Sequence, residues 1–228
     1  MKHLQKLLLL ALFVLIGVNT LTINANATEQ TTVKILFIGN SQTYYNNMPL
    51  MVKGLAQADN IDCQVKSITG SNYRLSQFAT TGNAYNTEIL HTLASDKWDY
   101  VVLQEQRVNL MENIESTKKA ITTLKEKIDA AGAKIILFAP QGDSNGRDFR
   151  VNGTSIYYDN NTLQYYMNKY YYSLAGVFNC PIAPSGLNFS RCMNEYPDIT
   201  LYNSDTVHPS IAGSYLAACT IYQTIFEK

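Results

Sequence analysis

The sequence predicts an α/β fold, a three-layer α/β/α sandwich around a mainly parallel five-stranded sheet. Four short apolar runs, at residues 33–38, 98–103, 134–139 and 181–183, have the pattern of buried strands, and residues 61–69 alternate apolar and polar side chains as a further strand does. Most of these segments stop at glycine, proline or polar residues. Segments with helical spacing lie between them, and strands that alternate with helices form βαβ units with a parallel sheet covered on both faces.

The helices are predicted from start and stop residues and from the spacing of apolar side chains. The first helix is predicted to begin at Asn47 and Pro49, a capping residue and a proline suited to the first turn. Gly132 is placed to end the long amphipathic helix in the middle of the chain. The predicted helices cover residues 47–58, 85–93, 114–131, 162–178 and 211–226.

Two segments lack the periodicity of either a helix or a strand. Residues 141–159 are polar, contain glycine and become aromatic toward their end. We expect a long loop or insertion there, and such loops in compact domains are often functional, which leaves open whether the segment is a lid. Residues 185–206 are expected to be irregular.

The N-terminal residues have the pattern of a secretory signal peptide. Lys2 and Lys6 precede an apolar run, and the small residues Ala25 and Ala27 form a cleavage site. The apolar run is shorter than the ~20 residues that a membrane span needs. We therefore expect a signal peptide at 1–27, a single domain at 28–228, a secreted or extracytoplasmic location, and no stable membrane insertion after cleavage.

The charge of the chain gives no sign of a polyanionic partner. The 18 basic residues balance the 18 acidic ones, and removal of the signal peptide takes away only two lysines. A nearly neutral chain lacks the basic surface that nucleic acid binding requires. Histidine and cysteine spacings typical of a metal site are missing, and we expect no metal and no cofactor.

Four cysteines remain in a chain that we expect to be exported. Cys180 and Cys192 fall in one irregular region, so they are the first pair to test for a disulfide, although connectivity cannot be deduced from sequence. Cys63 lies in a strand pattern and Cys219 on a helix face, which favours small buried hydrophobic residues.

Ser41 follows the first strand directly, in the turn Gly39-Asn40-Ser41. Parallel sheets place their sites at the carboxyl ends of the strands, which collects Ser41, Gly70 and Gln104 along one edge. Near the other end of the chain, Asp205 and His208 supply an acid and a base. Each motif alone is typical of an ordinary turn or cap, but together in a parallel α/β pattern they indicate a serine hydrolase.

These residues resemble the conserved blocks of the SGNH (GDSL-like) hydrolases, which have a flavodoxin-like fold. Residues 35–41, ILFIGNS, resemble the first block with asparagine in place of the common aspartate, and residues 205–209, DTVHP, resemble the last block. The resemblance implies that Ser41 is the nucleophile, that His208 is the general base, and that Asp205 orients the imidazole.

The resemblance also implies an oxyanion hole formed by Ser41, Gly70 and Gln104. The third block departs from the family pattern, because Gln104-Glu105-Gln106 stands where Gly-x-Asn-Asp is usual. Gln106 or a purely structural role for Gln104 therefore remains an alternative. The departure resembles a GNS-type branch with a glutamine-containing third block.

The sequence thus predicts an exported serine esterase that hydrolyses O-acyl esters through an acyl-enzyme. Exported relatives in this family often remove acetyl or other short acyl groups from carbohydrates, and the tyrosine-rich residues 157–172 either line a sugar cleft or form a packed helix. The alternative is a non-catalytic carbohydrate-binding or surface protein with the same fold. A nucleotide-binding flavodoxin-like domain is disfavoured because no glycine-rich phosphate loop is present.

Overall fold

The computed structural model describes residues 31–227, and a five-stranded parallel sheet lies at their centre. The strands of this sheet are β1 (Val33–Gly39), β2 (Cys63–Thr69), β3 (Tyr100–Leu103), β4 (Lys134–Phe138) and β7 (Ile182–Ala183). Their order in the sheet is β2-β1-β3-β4-β7, with every neighbouring pair parallel. The predicted strands and the mainly parallel sheet are confirmed, and the predicted signal peptide at 1–27 lies outside the described residues.

The helices cover both faces of the sheet. They are α1 (Ser41–Tyr44), α2 (Met48–Ala58), α3 (Leu75–Ala79), α4 (Ala84–Ser95), α5 (Arg107–Glu112), α6 (Ile114–Ala130), α7 (Asn160–Phe178), α8 (Ser185–Glu195) and α9 (Ile211–Phe226). A short 3₁₀ turn, Tyr45–Asn47, joins α1 to α2. Within residues 31–227, no helix combines the length and the apolar character needed to cross a membrane.

Alternate side chains of β1 point into two separate cores, which produces the three layers. Leu36 and Ile38 pack with buried residues of α3, α4, α6 and α7. Ile35 and Phe37 pack on the opposite face with buried residues of α2 and α9. All four side chains are fully buried, as a strand between two helical layers requires.

The segment 141–159, where the sequence predicted a long loop or insertion, is an insertion that contains regular structure. It contains an antiparallel hairpin of β5 (Arg147–Val151) and β6 (Thr154–Tyr158). Its turn is Asn152-Gly153, and both residues have positive φ, 52° and 83°. Asn-Gly is the favoured pair of a type I′ hairpin turn, so the signal was present in the sequence.

The prediction of an irregular region at 185–206 was wrong for residues 185–195, which form α8, and is confirmed for residues 196–206, which contain turns and one isolated bridge. The buried residues of α8 are Ser185, Gly186 and Phe189, so only one large apolar side chain marks its inward face. The short α5 likewise escaped prediction. Asn47 lies before α2 as expected, but it has a φ of 56° and its side chain makes no capping hydrogen bond.

The four cysteines are free thiols in the structure, so the Cys180–Cys192 pair is not bonded. Cys63 is buried in β2, as its pattern indicated, and burial raises its pKa to about 11. Burial also raises the pKa of Cys180 to about 11. These two thiols are therefore neutral and weakly reactive near pH 7.

The tyrosines of α7 mostly serve packing. Tyr171 is fully buried, and its hydroxyl accepts a hydrogen bond from the Glu105 N–H at 3.1 Å. Tyr166 is half-buried and makes an edge contact with Tyr158 of β6. Tyr165 is exposed. The structure therefore favours the packed helix over a sugar cleft for most of this segment.

Candidate active site

Ser41 is the first residue of α1 and lies directly beyond the end of β1. Asn40 caps this helix, because its Oδ1 accepts from the Gln42 N–H at 3.1 Å while its Nδ2 donates to the Tyr73 carbonyl at 3.0 Å. A Cβ at position 39 would overlap the Thr43 hydroxyl, so glycine is required where the chain turns from strand to helix. The turn fixes Ser41 at the carboxyl edge of the sheet.

Three predicted site residues form one chain of hydrogen bonds. The Ser41 Oγ lies 2.9 Å from Nε2 of His208, and the Nδ1 of His208 lies 2.6 Å from Oδ2 of Asp205. The structure thus brings together residues that are separated by 167 positions in the sequence. This is the arrangement in which an imidazole can take the proton of a serine hydroxyl while a carboxylate fixes its tautomer.

Asp205 is held in its ionised form. Partial burial opposes ionisation, but the His208 N–H, the His208 ring and the Val207 N–H donate to the carboxylate and lower the pKa of Asp205 to about 2. The Oδ1 atom accepts from both backbone N–H groups at 2.9 Å, which leaves Oδ2 for the imidazole. The carboxylate therefore remains charged across the neutral and mildly acidic range.

The loop that carries His208 is hydrogen-bonded to α1 and to the 3₁₀ turn that follows it. Gln42 Nε2 donates to the Val207 carbonyl at 3.1 Å, and Asn46 Nδ2 donates to the Pro209 carbonyl at 3.0 Å. Tyr45 stacks on the imidazole with ring centroids 4.3 Å apart and planes 9° from parallel. These contacts fix both the position and the plane of the imidazole ring of His208.

Thr206 has a left-handed backbone conformation, with a φ of 63°. A β-branched residue is disfavoured there, so its surroundings must stabilise the conformation. The Ser144 N–H donates to the Thr206 carbonyl at 2.8 Å, and the Thr206 N–H donates to Asn203 at 3.0 Å. The strained residue lies between Asp205 and His208 in the sequence and sets the turn that lets the two side chains meet.

Gln104 does not supply an oxyanion donor, which corrects the sequence prediction. The side chain is buried, and its Oε1 accepts from the Asn40 N–H and the Thr43 hydroxyl, both at 2.9 Å. Its Nε2 donates to the carbonyl of Glu105 at 2.5 Å. All three contacts point into the protein, so Gln104 has the structural role that the sequence left as an alternative.

The backbone N–H of Gly70 is also unavailable for the predicted oxyanion hole. Its N–H donates to the Gly39 carbonyl at 3.1 Å and so continues the pairing of β1 with β2. A side chain at position 70 would collide with the ring of Tyr73, which explains the glycine by packing. Of the three predicted oxyanion donors, only Ser41 keeps a backbone N–H that donates no hydrogen bond within residues 31–227.

A cavity of about 200 Å³ lies in front of Ser41 and His208. Asn72 and Gln106 line it, together with Arg107 and Arg147. Sequence reasoning raised Gln106 only as an alternative and missed the other three. Asn72 had a recognisable signal, because it follows Gly70 at the end of β2, where site residues are expected.

Asn72 is oriented by its neighbour across the cavity wall. Gln106 Nε2 donates to Asn72 Oδ1 at 3.0 Å, and Gln106 Oε1 accepts from the Asn109 N–H at 2.7 Å, which caps α5. Within the described chain the Nδ2 of Asn72 makes no hydrogen bond. The backbone φ of 56° at Asn72 is one that asparagine tolerates well.

Glu105 stabilises the loop after β3 from the buried side of that loop. This buried carboxylate accepts from the Leu75 N–H at 3.0 Å, from the Gln106 N–H at 2.6 Å and from Asn109 Nδ2 at 3.0 Å. Burial raises the pKa of Glu105, while these hydrogen bonds act in the opposite direction. Glu105 therefore joins the loop after β3 to the start of α3 and does not face the cavity.

Solved structures show the same fold. The chain is similar to a candidate SGNH hydrolase from Slackia heliotrinireducens, with 25% identity over 86% of this chain and 100% of that chain and a TM-score of 0.71. A DUF4886 family protein from Bacteroides uniformis has 16% identity over 87% of this chain and 84% of that chain, with a TM-score of 0.70. Axe2, an acetylxylan esterase from Geobacillus stearothermophilus, has 17% identity over 85% of this chain and 94% of that chain, with a TM-score of 0.62.

No protein-family model and no curated protein matches the sequence. The structural likenesses confirm the predicted α/β fold as that of the SGNH hydrolases. The Slackia heliotrinireducens protein is described as a candidate SGNH hydrolase, which supports the predicted class of hydrolase. The GNS-type branch stays a prediction.

Proposed function

We propose that this protein is an exported serine esterase that removes short acyl groups, such as acetyl, from carbohydrate through an acyl-enzyme. The observation that carries the proposal is the hydrogen-bonded chain from Ser41 through His208 to Asp205, at the edge of a cavity. A serine hydroxyl needs such a base before it can attack a carbonyl carbon.

In the first half of the reaction, Ser41 Oγ attacks the ester carbonyl carbon while its proton passes to His208 Nε2. The tetrahedral intermediate collapses, the bond to the alcohol oxygen breaks, and the alcohol leaves with the proton from His208. In the second half, water attacks the acyl-enzyme and gives a proton to His208. Collapse of that intermediate releases the carboxylic acid and returns the proton to Ser41.

The negative charge on the intermediate is stabilised by two donors at the cavity wall. One is the N–H of Ser41 and the other is Nδ2 of Asn72, which Gln106 holds through the opposite end of the amide. Fixed donors of this kind stabilise the developing charge without reorganisation during the reaction. Asn72 thereby replaces the asparagine that the third block of the family would supply.

The preference for a short acyl group and a carbohydrate alcohol has two supports. The cavity of about 200 Å³ is smaller than the roughly 300–1,000 Å³ of pockets for drug-sized ligands, which favours a small acyl group. One structure with the same fold is an acetylxylan esterase. An O-acetylated sugar agrees with the cavity size and with the esterase that shares the fold, with the acyl group inside the cavity and the saccharide at its mouth.

Export belongs to the proposal on sequence grounds. Residues 1–27 combine a basic start, an apolar run and a small-residue cleavage site. A protein that acts on acetylated glycans outside the cytoplasm requires such a segment.

The test compares the chain starting at Thr28 with Ser41→Ala and His208→Ala, using 4-nitrophenyl acetate and acetylated xylooligosaccharides. We expect the parent to release acetate from both substrates and each variant to lose turnover by at least ~10³-fold while remaining folded. An inactive parent on both substrates would favour a non-catalytic carbohydrate-binding protein. Activity on 4-nitrophenyl acetate alone would retain the esterase and reject the carbohydrate.

A further inference from the structure

Two arginines line the cavity beside Ser41, and neither is explained by the triad chemistry. Arg107 is the first residue of α5, and Arg147 is the first residue of β5 in the hairpin. The lining of this cavity contains both arginines and His208 but no acidic side chain. The mechanism for a neutral acetyl ester makes no use of this positive charge.

Arg107 is costly to bury in this way. Its side chain is only 10% exposed, and burial lowers its pKa, while the nearby Asp143 acts in the opposite direction. The Nη1 group is buried and has no hydrogen-bond partner within residues 31–227. An unpartnered donor on a buried charge is destabilising, so such a group is expected where a ligand completes it.

One carboxylate serves both arginines. Asp143 Oδ1 lies 2.8 Å from Arg107 Nη2, and its Oδ2 lies 2.6 Å from Arg147 Nε. Both contacts are ion pairs by distance but lack the angles of hydrogen bonds. The two oxygens of Asp143 therefore leave the hydrogen-bonding capacity of both guanidinium groups unsatisfied. Two positive charges against one negative charge leave a surplus of one positive charge at this wall.

The other acids nearby lie outside the lining of this cavity. Asp205 keeps its negative charge, which also acts on Arg107, but both of its oxygens accept from His208 and from the N–H groups of its own turn. Asp148 lines a separate depression together with Tyr157, and Arg147 borders that depression as well. The two guanidinium groups therefore line the cavity that holds the nucleophile, and no carboxylate does.

We propose that Arg107 and Arg147 form an anion subsite, which binds a carboxylate or phosphate group carried by the substrate close to the scissile ester. This inference rests on the proposed esterase function and narrows its substrate class to acidic esters, such as an acetylated sugar acid or sugar phosphate. Guanidinium groups suit both anions because their planar N–H pairs match two oxygens at once.

The kinetic test uses three esters: neutral 4-nitrophenyl acetate, 3-carboxy-4-nitrophenyl acetate with the charge on the leaving group, and 4-nitrophenyl hemisuccinate with the charge on the acyl group. For each anionic ester, the ratio of its kcat/KM to that of the neutral ester is compared between parent and Arg147→Gln. Comparing ratios between proteins cancels the intrinsic reactivity of the esters. We expect the ratio for at least one anionic ester to fall by about tenfold or more.

The matched control is Arg150→Gln, which removes an exposed arginine from the same strand, outside the cavity lining. It should keep the parent's ratios. Arg107→Lys adds a second variant that retains the buried charge but loses the planar pair of donors, and it too should lower the ratio. Ratios in Arg147→Gln equal to those of the parent for both anionic esters would overturn the subsite.

A binding measurement keeps the inference separate from turnover. Calorimetric titration of the parent with succinate and with inorganic phosphate should show binding that weakens by about tenfold in Arg147→Gln and with added salt. Binding of one probe alone identifies which anion the subsite prefers. If no ester is hydrolysed, the esterase proposal fails, and the titration alone then tests the anion subsite. Equal binding in parent and Arg147→Gln, or no binding in either, would refute the subsite.

Discussion

The plane of the His208 ring is set by Tyr45, whose ring lies parallel to it at 4.3 Å. Hydrogen bonds to Ser41 and Asp205 fix the two ends of the imidazole but allow it to tilt about the line that joins them. Stacking removes that freedom. Tyr45 is therefore a positioning residue, and its ring rather than its hydroxyl performs the role.

Replacing Tyr45 with alanine should lower kcat by up to about tenfold, because an aromatic pair contributes about 0.5–1.5 kcal/mol. The KM should change less, since the ring contacts His208 and lies outside the cavity lining. Steady-state kinetics on 4-nitrophenyl acetate measures both constants. Tyr45→Phe keeps the ring and should restore kcat; a phenylalanine variant as slow as the alanine variant would show that the hydroxyl matters instead.

Asn72→Gly tests the proposed oxyanion donor without disturbing the backbone, because glycine accepts the φ of 56° at this position. Loss of one such donor typically lowers kcat by roughly 10²–10³-fold, and we expect a loss in that range. The matched control is Asn152→Gly, at a φ of 52° in the hairpin turn. A kcat for Asn72→Gly equal to that of the control would assign the oxyanion to other donors.

The sequence predicted Ser41, Asp205 and His208 as a triad because each lies in a short motif with a chemical reason, and the structure brings the three side chains into one hydrogen-bonded chain. It misassigned Gln104, since the direction of a side chain at a strand end depends on packing against Asn40 and Thr43. The arginine pair could not be predicted. Arg107 and Arg147 come from distant elements, and nothing in either local sequence indicates a shared cavity.

Among the secondary-structure elements, the β5-β6 hairpin packs on the main core through the buried Phe149, with the partly buried Val151 and Tyr158 beside it. Phe149 of β5 is buried and makes an edge contact with Tyr158 at 5.8 Å between ring centroids. The hairpin in turn carries Arg147 to the cavity. Its attachment thus connects the packing of the core to the shape of the site.

Phe149→Ala should lower the free energy of unfolding by about 3–5 kcal/mol, as expected for a large side chain removed from a core. Ile156→Ala, at the paired position on β6, should lower it by less than about 1 kcal/mol because that side chain is 39% exposed. Chemical denaturation measures both values. Similar losses for the two variants would contradict the account of Phe149 as the anchor.

Most elements were predictable because their patterns are local. Most of the sheet strands have apolar runs, β2 alternates apolar and polar residues, and α6 has a regular apolar stripe with Gly132 after it. The hairpin was missed although Asn152-Gly153 signals a tight turn, because the flanking strands are short and polar. α8 was missed because its close packing involves Gly186 against Gln164 of α7, which no local pattern reveals.

At the scale of the whole molecule, buried Glu105 links stability to pH. Burial raises its pKa above the value in the unfolded chain. The folded state then holds the proton more tightly, so this contribution is fully present below the unfolded pKa and is lost as pH rises through the folded pKa. The free energy of unfolding should therefore contain a term that decreases from mildly acidic toward neutral pH.

Glu105→Gln should remove that term, so that its stability relative to the parent increases between pH 5 and pH 8. The amide of Asn109 can turn to accept from the new side chain. Chemical denaturation at the two pH values gives the difference, and Glu126→Gln, at an exposed position on α6, serves as the control. A parent-to-variant difference independent of pH would show that the pKa of Glu105 is not raised in the folded state.

Covalent labelling with a fluorophosphonate tests whether Ser41 is an activated nucleophile. Intact-protein and peptide mass spectrometry would count and locate the label. We expect one label per chain, on Ser41, with none in Ser41→Ala and much slower labelling in His208→Ala. A label on another residue, or equal labelling of parent and Ser41→Ala, would contradict it.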